Sequence, residues 1–384
     1  MTTTLPSVRQ TQVLLVSPAV TPPWLNGTVL MARDLALRGE RFGYRVMGTD
    51  GQSRHLGRAN VEPIYPRRGS RLAFTGRFRV VWRLLRRDDC AIHHFFFSPH
   101  RTVSQVTKAV LTVSRKPSIH TVPSQPADED IKRLMFADRV VCASEATAIL
   151  LRSAGVEEVR VIRPAVEIPQ WQDKTRYRER LAATGVDNQW GERPVFVYAG
   201  DLEFSDGASV FVEAANLAIS EGLDEARFVL ACRAKTPASA DVLRKLRRRV
   251  SALGLTDKVR FAGVVPDIHA FLGSATAIVM PVDTLYAKVD TPYVLLEAMA
   301  RGVPAIVSNL PALGELAGLG TGATVIPKSD PSATAEAMRQ VAADPERAER
   351  LGRAAQQTVS DYFNYARMVD AYESLYEEIL SGQP

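Results

Sequence analysis

Short apolar runs recur along the chain and alternate with longer stretches whose apolar residues follow a helical spacing. Runs rich in Val, Ile and Leu without polar alternation are typical of parallel strands buried on both faces of a sheet. Strands that alternate with helices predict a doubly wound α/β fold. In the first half the predicted strands are 13–17, 44–47, 91–97, 118–122, 139–143 and 159–162, with a helix over 28–37.

The alternation of strands and helices begins again after a polar and charged stretch, and this predicts a second α/β domain. The boundaries indicated are a first domain over 1–168, a linker over 169–193, a second domain over 194–360 and a last helix over 361–384. In the second half a strand and turn are predicted over 194–200, and further strands over 227–232, 259–264, 277–282 and 304–308. The predicted helical segments are 211–222, 240–253 and 337–380.

Composition narrows the class of protein. The chain has 384 residues, of which 46% are hydrophobic and 23% charged, and this is ordinary for globular domains. Three widely spaced cysteines favour a reducing compartment over a disulfide framework. Because no apolar run approaches the roughly 20 residues that span a bilayer, we expect a cytoplasmic protein. The net charge is +6, and the basic excess falls in the first domain, which favours an anionic partner there.

The most informative local sequence is 288–304. Thr291 can N-cap a helix, and Pro292 suits a first turn, where no intrahelical amide donor is needed. Gly302 can end that helix, so Glu297 would lie about one and a half turns from its start. The positive helix terminus suits a diphosphate, and the carboxylate of Glu297 can accept hydrogen bonds from two ribose hydroxyls. The alternative is an amphipathic helix with a solvated glutamate.

This segment resembles the donor-site helix of retaining GT-B glycosyltransferases, the family-4 group of sugar transferases. The family pattern is Glu-x7-Glu followed by Ala-Met-Ala-x-Gly-x-Pro. Glu297 matches the second Glu, and residues 298–304 match the rest. The position of the first Glu holds Val289, with Lys288 and Asp290 beside it.

The resemblance implies a GT-B fold, with two Rossmann-like doubly wound parallel-sheet domains and an interdomain cleft. It makes 1–168 the acceptor domain and 194–360 the nucleotide-sugar donor domain, and 361–384 the helix that crosses back to the first domain. It also implies that Glu297 binds the ribose and that Asp290 covers the role of the missing first acid. No cofactor or metal is implied, since the nucleotide-diphosphate sugar is a co-substrate.

The family's diphosphate clamp is replaced in this chain. Related enzymes carry Gly-Arg-Leu and then Lys-Gly after the first strand of the second domain, where this chain has Asp201 and Asp206. Three explanations are open: positive charge comes from elsewhere, the donor binds in an altered pose, or transferase activity is lost. We favour the first explanation, because ligands bind beyond strand ends in open α/β sheets. The candidate phosphate-binding residues are Arg233, Lys235 and Lys288, and solvated loop charges are the alternative for the first two.

Three further residues are candidates through the resemblance. Gly27 lies between the first strand and the first helix, where its amide can approach a phosphate, or it is simply a turn glycine. The family commonly places a histidine near the donor sugar at the position of His120, although a lone histidine is more often structural. Gly263 lies in a segment that resembles the one whose backbone contacts the nucleotide base. In this scheme Gly27 and His120 complete the donor site from the first domain.

The stretch Arg67–Arg87 holds eight arginines interleaved with Phe, Trp, Val and Leu. At helical spacing it predicts a basic amphipathic helix that can lie on an anionic bilayer, such as the inner membrane surface. A packed helix with a solvated basic face is the alternative. We expect no nucleic acid partner, because no nucleic-acid-binding module accompanies the charge.

The sequence therefore favours a metal-independent retaining glycosyltransferase. It would move a sugar from a nucleotide-diphosphate donor to a hydroxyl acceptor, in a lipid-linked or cell-surface glycan intermediate. One alternative is a non-catalytic GT-B relative that binds a nucleotide sugar or scaffolds glycan assembly. Another is a soluble natural-product glycosyltransferase.

Overall fold

The computed structural model describes residues 11–20, 26–49, 56–65, 74–86, 89–126, 130–184, 191–286 and 288–382. The strands are β1 (Gln12–Val16), β2 (Gly43–Thr49), β3 (Asn60–Tyr65), β4 (Cys90–Phe96), β5 (Ser118–Val122), β6 (Arg139–Cys142), β7 (Val159–Val161), β8 (Val195–Tyr198), β9 (Arg227–Leu230), β10 (Val259–Phe261), β11 (Ala277–Met280), β12 (Ala305–Ser308) and β13 (Ala323–Ile326).

Helices follow most of these strands. They are α1 (Gly27–Arg38), α2 (Phe74–Leu85), α3 (Arg101–Ser114), α4 (Ile131–Leu134), α5 (Glu145–Ser153), α6 (Lys174–Ala182), α7 (Gly207–Ser220), α8 (Pro237–Ala252), α9 (Ile268–Gly273), α10 (Tyr293–Met299), α11 (Pro311–Gly318), α12 (Pro331–Ala343), α13 (Pro345–Tyr362) and α14 (Tyr365–Ser381).

The chain divides into two compact units. The N-terminal unit comprises Met1–Ala165 together with Tyr365–Pro384, and the C-terminal unit comprises Val166–Asn364. The last helix, α14, therefore belongs to the N-terminal unit although it ends the chain. Its Glu373 accepts hydrogen bonds from the amide of Glu40 at 2.9 Å and from the hydroxyl of Tyr44 at 2.8 Å. These bonds fix α14 to the residues that connect α1 to β2.

The N-terminal unit is built on a parallel sheet with the strand order β3-β2-β1-β4-β5-β6-β7. The central strands β1, β4 and β5 are almost wholly buried, and Leu14, Ile92 and Ile119 have no exposed surface. His94 on β4 lies between α14 and β5, with Nδ1 2.6 Å from the hydroxyl of Tyr376 and Nε2 2.8 Å from that of Thr121. Burial and the nearby His120 lower the pKa of His94, so its ring is a neutral part of this core.

The C-terminal unit is built on a second parallel sheet with the order β10-β9-β8-β11-β12-β13. Its core includes the fully buried aromatic rings of Phe196, Tyr198, Phe211 and Phe228. The chain order reverses between β8 and β11, which are neighbours. Such a reversal is the topological switch point at which open α/β sheets bind ligands.

The two doubly wound parallel sheets predicted from the sequence are confirmed, but several local features differ. The stretch 169–193, predicted as a linker, contains α6, whose Tyr177 and Leu181 are buried in the C-terminal unit. Thr291 does not cap α10: the N-cap is Pro292, with ψ 130°, and no side chain accepts there. Gly302 does end the helical segment, with φ +73°. Strands β3 and β13 were not predicted.

Candidate active site

Three loops at the carboxyl ends of neighbouring strands carry a cluster of charged side chains. Asp201 follows β8, Lys235 follows β9 and Lys288 follows β11. The Nζ of Lys288 lies 3.7 Å from Oδ1 of Asp201, and the two side chains are 30% and 13% exposed. This ion pair joins the loops on the two sides of the switch point.

The carboxylate of Asp201 also organises its own loop. Its Oδ2 accepts a hydrogen bond from the amide of Glu203 at 3.0 Å and another from the amide of Phe204. Burial opposes ionisation of Asp201, but the amide of Phe204 and the charge of Lys288 outweigh it and lower the pKa of this carboxyl. Asp201 is therefore an ionised residue whose negative charge is compensated by two backbone amides and by Lys288. This compensation reduces the repulsion that the carboxylate would exert on a phosphate.

Lys235 lies close enough to two other cations to feel their charges. Partial loss of hydration, followed by repulsion from Lys288 and Arg233, lowers the pKa of Lys235, while Asp201 acts in the opposite direction. The Lys235 amide donates to Oγ of Ser239 at 2.8 Å, within the capping box that begins α8. Three cations thus gather near the carboxylates of Asp201 and Glu203, and the remaining excess of positive charge suits a diphosphate.

Glu297 lies on α10 with its side chain 24% exposed, so it does not extend into bulk solvent. Its Oε1 is 3.9 Å from Nε2 of His269 on α9. One turn further on, Arg301 donates to the backbone carbonyl of Glu297 at 2.8 Å. Burial lowers the pKa of Arg301, and the charge of Glu297 counteracts that shift. The glutamate therefore lies between His269 and Arg301, with part of its side chain accessible.

The residues around the start of α10 are more buried than expected for a terminus that faces a ligand. Asp290 and Thr291 are 1% and 3% exposed, and Pro292 is also buried. Asp290 is engaged with neighbouring groups in the unit. With only seven residues, α10 is also short. Among the described residues at this edge, the cationic cluster therefore offers more accessible positive charge than the start of α10 does.

Gly263 lies in the loop after β10, at the edge of the same sheet. Its φ of +62° is in the left-handed region, where glycine is favoured, and a side chain built there would meet nothing within 4 Å. The surrounding loop forms a pocket of about 130 Å³ lined by Arg260, Phe261, Ala262, Val264, Val265, Pro266 and Phe271. The guanidinium of Arg247 lies 5.5 Å from the ring centroid of Phe261. This pocket is large enough to receive part of a planar ring.

The two candidates in the N-terminal unit are placed differently. Gly27 is the first residue of α1, where Oδ1 of Asn26 accepts from the amide of Thr28 at 2.9 Å. His120 has no exposed surface: Nε2 lies 2.9 Å from the carbonyl of Phe97, and the ring stacks on Phe136 at 4.4 Å. Burial lowers its pKa to about 4, so His120 is neutral at pH 7. These contacts hold the His120 ring within the N-terminal unit, and its place in the donor site stays a prediction.

Residues 193–344 match the family described as Glycosyl transferases group 1. This segment is a glycosyl transferases group 1 domain. The match contains Asp201, Lys235, Lys288 and Glu297, and it ends before α13. The resemblance seen in the sequence is therefore confirmed on the part of the chain that carries the charged cluster.

Two curated relatives are similar to this chain over more than two thirds of its length. A D-inositol 3-phosphate glycosyltransferase 1 from Catenulispora acidiphila is 26% identical over 68% of this chain and 62% of its own length. A lipopolysaccharide core biosynthesis mannosyltransferase, LpcC, from Rhizobium leguminosarum is 27% identical over 79% of this chain and 80% of its own length. The chain thus spans less than two thirds of the first relative.

Solved structures show the overall fold. Anabaena Alr3699/HepE in complex with UDP-glucose has a TM-score of 0.75 at 18% identity, over 95% of this chain and 99% of that chain. A sucrose-phosphate synthase from Thermosynechococcus elongatus has a TM-score of 0.74 at 18% identity, over 97% and 100%. The predicted GT-B fold is confirmed by these matches.

The glycosyltransferase domain uses the second unusual acid, Asp206, as a connection between loops. The amide of Asp206 donates to Oδ1 of Asp283 at 3.0 Å, and the amide of Asp283 donates to Oδ1 of Asp206 at 3.0 Å. Burial and the neighbouring Asp283 raise the pKa of Asp206. Both acids in the family's clamp positions are thus engaged in loop structure.

Sequence reasoning missed two side chains beside Glu297. The contact of Arg301 with Glu297 could have been predicted, because a residue four positions later lies on the same helix face. No pattern in the sequence indicated the proximity of His269, since this residue lies on a different helix, α9. Within the described residues, no group of His, Cys, Asp and Glu side chains is arranged to hold a metal ion.

Proposed function

We propose that this chain is a retaining, metal-independent GT-B glycosyltransferase of the family-4 type. It transfers a hexosyl group from a nucleotide-diphosphate donor to a hydroxyl acceptor. The observation that carries the proposal is the group of Lys288, Lys235 and Arg233 beyond the carboxyl ends of β9 and β11, around Asp201. The Anabaena neighbour, whose structure contains UDP-glucose, supports a sugar nucleotide as donor.

The cations have a defined role in this reaction. Negative charge grows on the diphosphate as the glycosidic bond breaks, and groups already fixed near that charge lower the barrier. Lys288 is oriented by Asp201 at 3.7 Å, so little reorganisation is needed when the phosphate arrives. Glu297 accepts hydrogen bonds from the ribose hydroxyls, and the loop around Gly263 receives the base. Each role is filled by a side chain or loop of the C-terminal unit alone.

Calorimetry tests the proposal directly. The wild-type protein is titrated with UDP and GDP and with UDP-glucose and GDP-mannose, and Glu297→Ala is compared with it. We expect at least one nucleotide to bind the wild type and the variant to bind it at least 10-fold more weakly, because hydrogen bonds to a charged group contribute about 1.5–3 kcal/mol. An unchanged dissociation constant in Glu297→Ala would exclude Glu297 from the nucleotide site.

Donor hydrolysis and transfer then separate an enzyme from a binding protein. A catalyst releases nucleoside diphosphate from the sugar nucleotide that it binds, slowly with water and faster with a hydroxyl acceptor. Binding without release, even with a panel of acceptors, would favour the non-catalytic GT-B relative. The cationic cluster supports the enzyme, since it supplies the charge that the replaced clamp residues lack.

The acceptor is proposed to be lipid-linked, and α2 provides the support. Phe78, Trp82 and Leu85 are 63%, 67% and 37% exposed, and their spacing places them on one helix face. The exposed arginines Arg77 and Arg79 lie on either side of Phe78 in the sequence of this helix. Aromatic side chains between arginines are typical of helices that lie in an anionic membrane interface. The stretch 67–73 and residue 87, which completed the predicted basic segment, lie outside the described residues.

Liposome sedimentation tests this part of the proposal. We expect the protein to sediment with anionic vesicles more than with neutral ones, and the double variant Phe78→Ser/Trp82→Ser to lose most of that binding. Val325→Ser, at another exposed apolar residue, is the matched control. Equal sedimentation of wild type and double variant would favour a soluble acceptor. Within the described residues, no helix is long and apolar enough to cross a membrane.

A further inference from the structure

Two aromatic side chains are exposed beside the cationic cluster. Phe204, in the loop after β8, is 45% exposed, and Tyr286, in the loop after β11, is 53% exposed. Their ring centroids are 5.6 Å apart and the ring planes meet at 68°, an edge-to-face contact. Single exposed apolar residues are ordinary on protein surfaces, but two rings that pair and still leave about half of their surface open form a recognition feature.

The two loops are joined at both ends of this aromatic pair. On one side Asp201 forms the ion pair with Lys288 at 3.7 Å. On the other side Asp206 and Asp283 exchange amide-to-carboxylate hydrogen bonds of 3.0 Å. Phe204 lies between the two acids of its loop, and Tyr286 lies between Asp283 and Lys288. The pair is therefore presented by loops whose relative position is set at two points.

Each loop is also anchored in the core of its unit. Leu202, two residues before Phe204, is 3% exposed, and Leu285, next to Tyr286, packs against the same core. The amide of Lys288 donates to the carbonyl of Leu285 at 3.0 Å, which closes a turn around Tyr286. A side chain held in this way loses little conformational freedom when it meets a ligand.

We propose that Phe204 and Tyr286 form a stacking surface for the hexose ring of the sugar-nucleotide donor, an inference that rests on the proposed function. Tyr286 is two residues from Lys288, a separation of at most roughly 7 Å along the chain. The hexose is bonded directly to the second phosphate, so a phosphate at Lys288 places the sugar within reach of these rings. The apolar C–H face of a pyranose matches an aromatic face, while its hydroxyls remain available to polar groups.

The same arrangement gives a role to the two acids that replace the family's clamp residues. Asp201 and Asp206 do not hold phosphate. They connect the β8 loop to the β11 loop and so hold the aromatic pair next to Lys288. In this chain Asp201 and Asp206 thus hold a sugar-binding surface in place. Lys235 after β9 and Lys288 after β11 supply the positive charge for the diphosphate.

A calorimetric comparison of nucleotide and sugar nucleotide tests the proposal. The double variant Phe204→Ala/Tyr286→Ala is titrated with UDP and UDP-glucose and with GDP and GDP-mannose. We expect the dissociation constant for the sugar nucleotide to rise by about 3- to 10-fold, since aromatic stacking contributes about 0.5–1.5 kcal/mol, and that for the nucleoside diphosphate to stay unchanged. Tyr286→Phe keeps the ring and is expected to bind as the wild type does.

The outcomes separate this inference from the proposed function. If the wild type binds a sugar nucleotide and the double variant binds it equally well, the stacking surface is refuted and the proposed function stands. If the double variant loses nucleoside diphosphate and sugar nucleotide to the same extent, the rings do not act on the hexose and the inference is also refuted. A wild type that binds none of the four ligands overturns both. Thermal melting of each variant shows that the domain remains folded.

Discussion

Replacing Lys288 by alanine tests the chemistry of the cationic cluster. The change removes a cation that lies 3.7 Å from Asp201 and leaves Lys235 and Arg233 in place. A hydrogen bond to a charged group contributes about 1.5–3 kcal/mol, which corresponds to about 10- to 150-fold in affinity. Because the Lys288 side chain is 30% exposed, solvent screening favours the lower end, about 10-fold for a nucleoside diphosphate.

Stability should change little in the same variant. Partly exposed ion pairs contribute about 0.2–1 kcal/mol, and Asp201 keeps its two amide donors, Glu203 and Phe204, after Lys288 is removed. A large loss of affinity with an almost unchanged melting temperature is therefore expected. This combination distinguishes a ligand-binding lysine from one that only holds the loop.

The assay is calorimetric titration of UDP and GDP at two salt concentrations, with matched variants. Lys245→Ala removes the same charge from an exposed position on α8 and is expected to bind as the wild type does. Lys288→Arg retains the charge and should recover much of the affinity. The weakening in Lys288→Ala should shrink at high salt, because screening reduces the lost attraction. Equal affinities for Lys288→Ala and Lys245→Ala would refute the reasoning.

Three further predictions follow from charge and burial. Because the pKa of Lys235 is lowered, nucleotide affinity should begin to fall at a pH below the ordinary lysine pKa of about 10.4 as the ammonium loses its proton. Lys235→Arg should abolish that fall, and an unchanged profile in Lys235→Arg would exclude Lys235. Arg83→Ala should cost about 1.5–3 kcal/mol in the free energy of urea unfolding, because Arg83 is 4% exposed and donates to Glu62, which retains Arg45 at 3.6 Å. Arg79→Ala should stay within about 0.5 kcal/mol, and equal losses in the two variants would contradict this. Tyr376→Phe should cost about 1–3 kcal/mol by leaving Nδ1 of His94 unpaired, and a wild-type midpoint would show that the bond contributes nothing.

The strands were predictable because burial on both faces leaves a continuous apolar run. The prediction of 118–122 coincides with β5, and 139–143 differs from β6 by one residue. The two missed strands have weaker patterns. β3 contains Pro63 and lies at an edge of its sheet, and β13 is only partly buried. Edge strands lack the constraint that makes central strands recognisable.

The site was less predictable, because its contacts join residues far apart in the chain. A local motif was enough to single out Glu297 and Lys288, whose roles stay predictions. The roles of Asp201 and Asp206 could not, since their partners come from the loop after β11. From the sequence alone, two acids at the positions of a phosphate clamp suggest that they repel the diphosphate. The structure shows instead that Asp201 and Asp206 connect the loop after β8 to the loop after β11.

Local signals did not predict the surroundings of three side chains. Thr291 before Pro292 has the sequence of a helix N-cap, but Pro292 remains extended and α10 starts one residue later. His120 matched a family position, yet it stacks on Phe136 and has no exposed surface. In the basic stretch, Arg83 forms a buried ion pair with Glu62 instead of facing solvent. For His120 and Arg83, a tertiary contact absent from the local sequence decides where the side chain lies.

The central claim is that a nucleotide sugar binds at the carboxyl edge of the C-terminal sheet. A crystal structure of the protein soaked with UDP or GDP tests it most directly. We predict the diphosphate within hydrogen-bonding distance of Lys288 and Lys235, with the ribose hydroxyls on Glu297. A nucleotide bound elsewhere, with Lys288 still directed only to Asp201 and Glu297 without a ligand, would contradict the account.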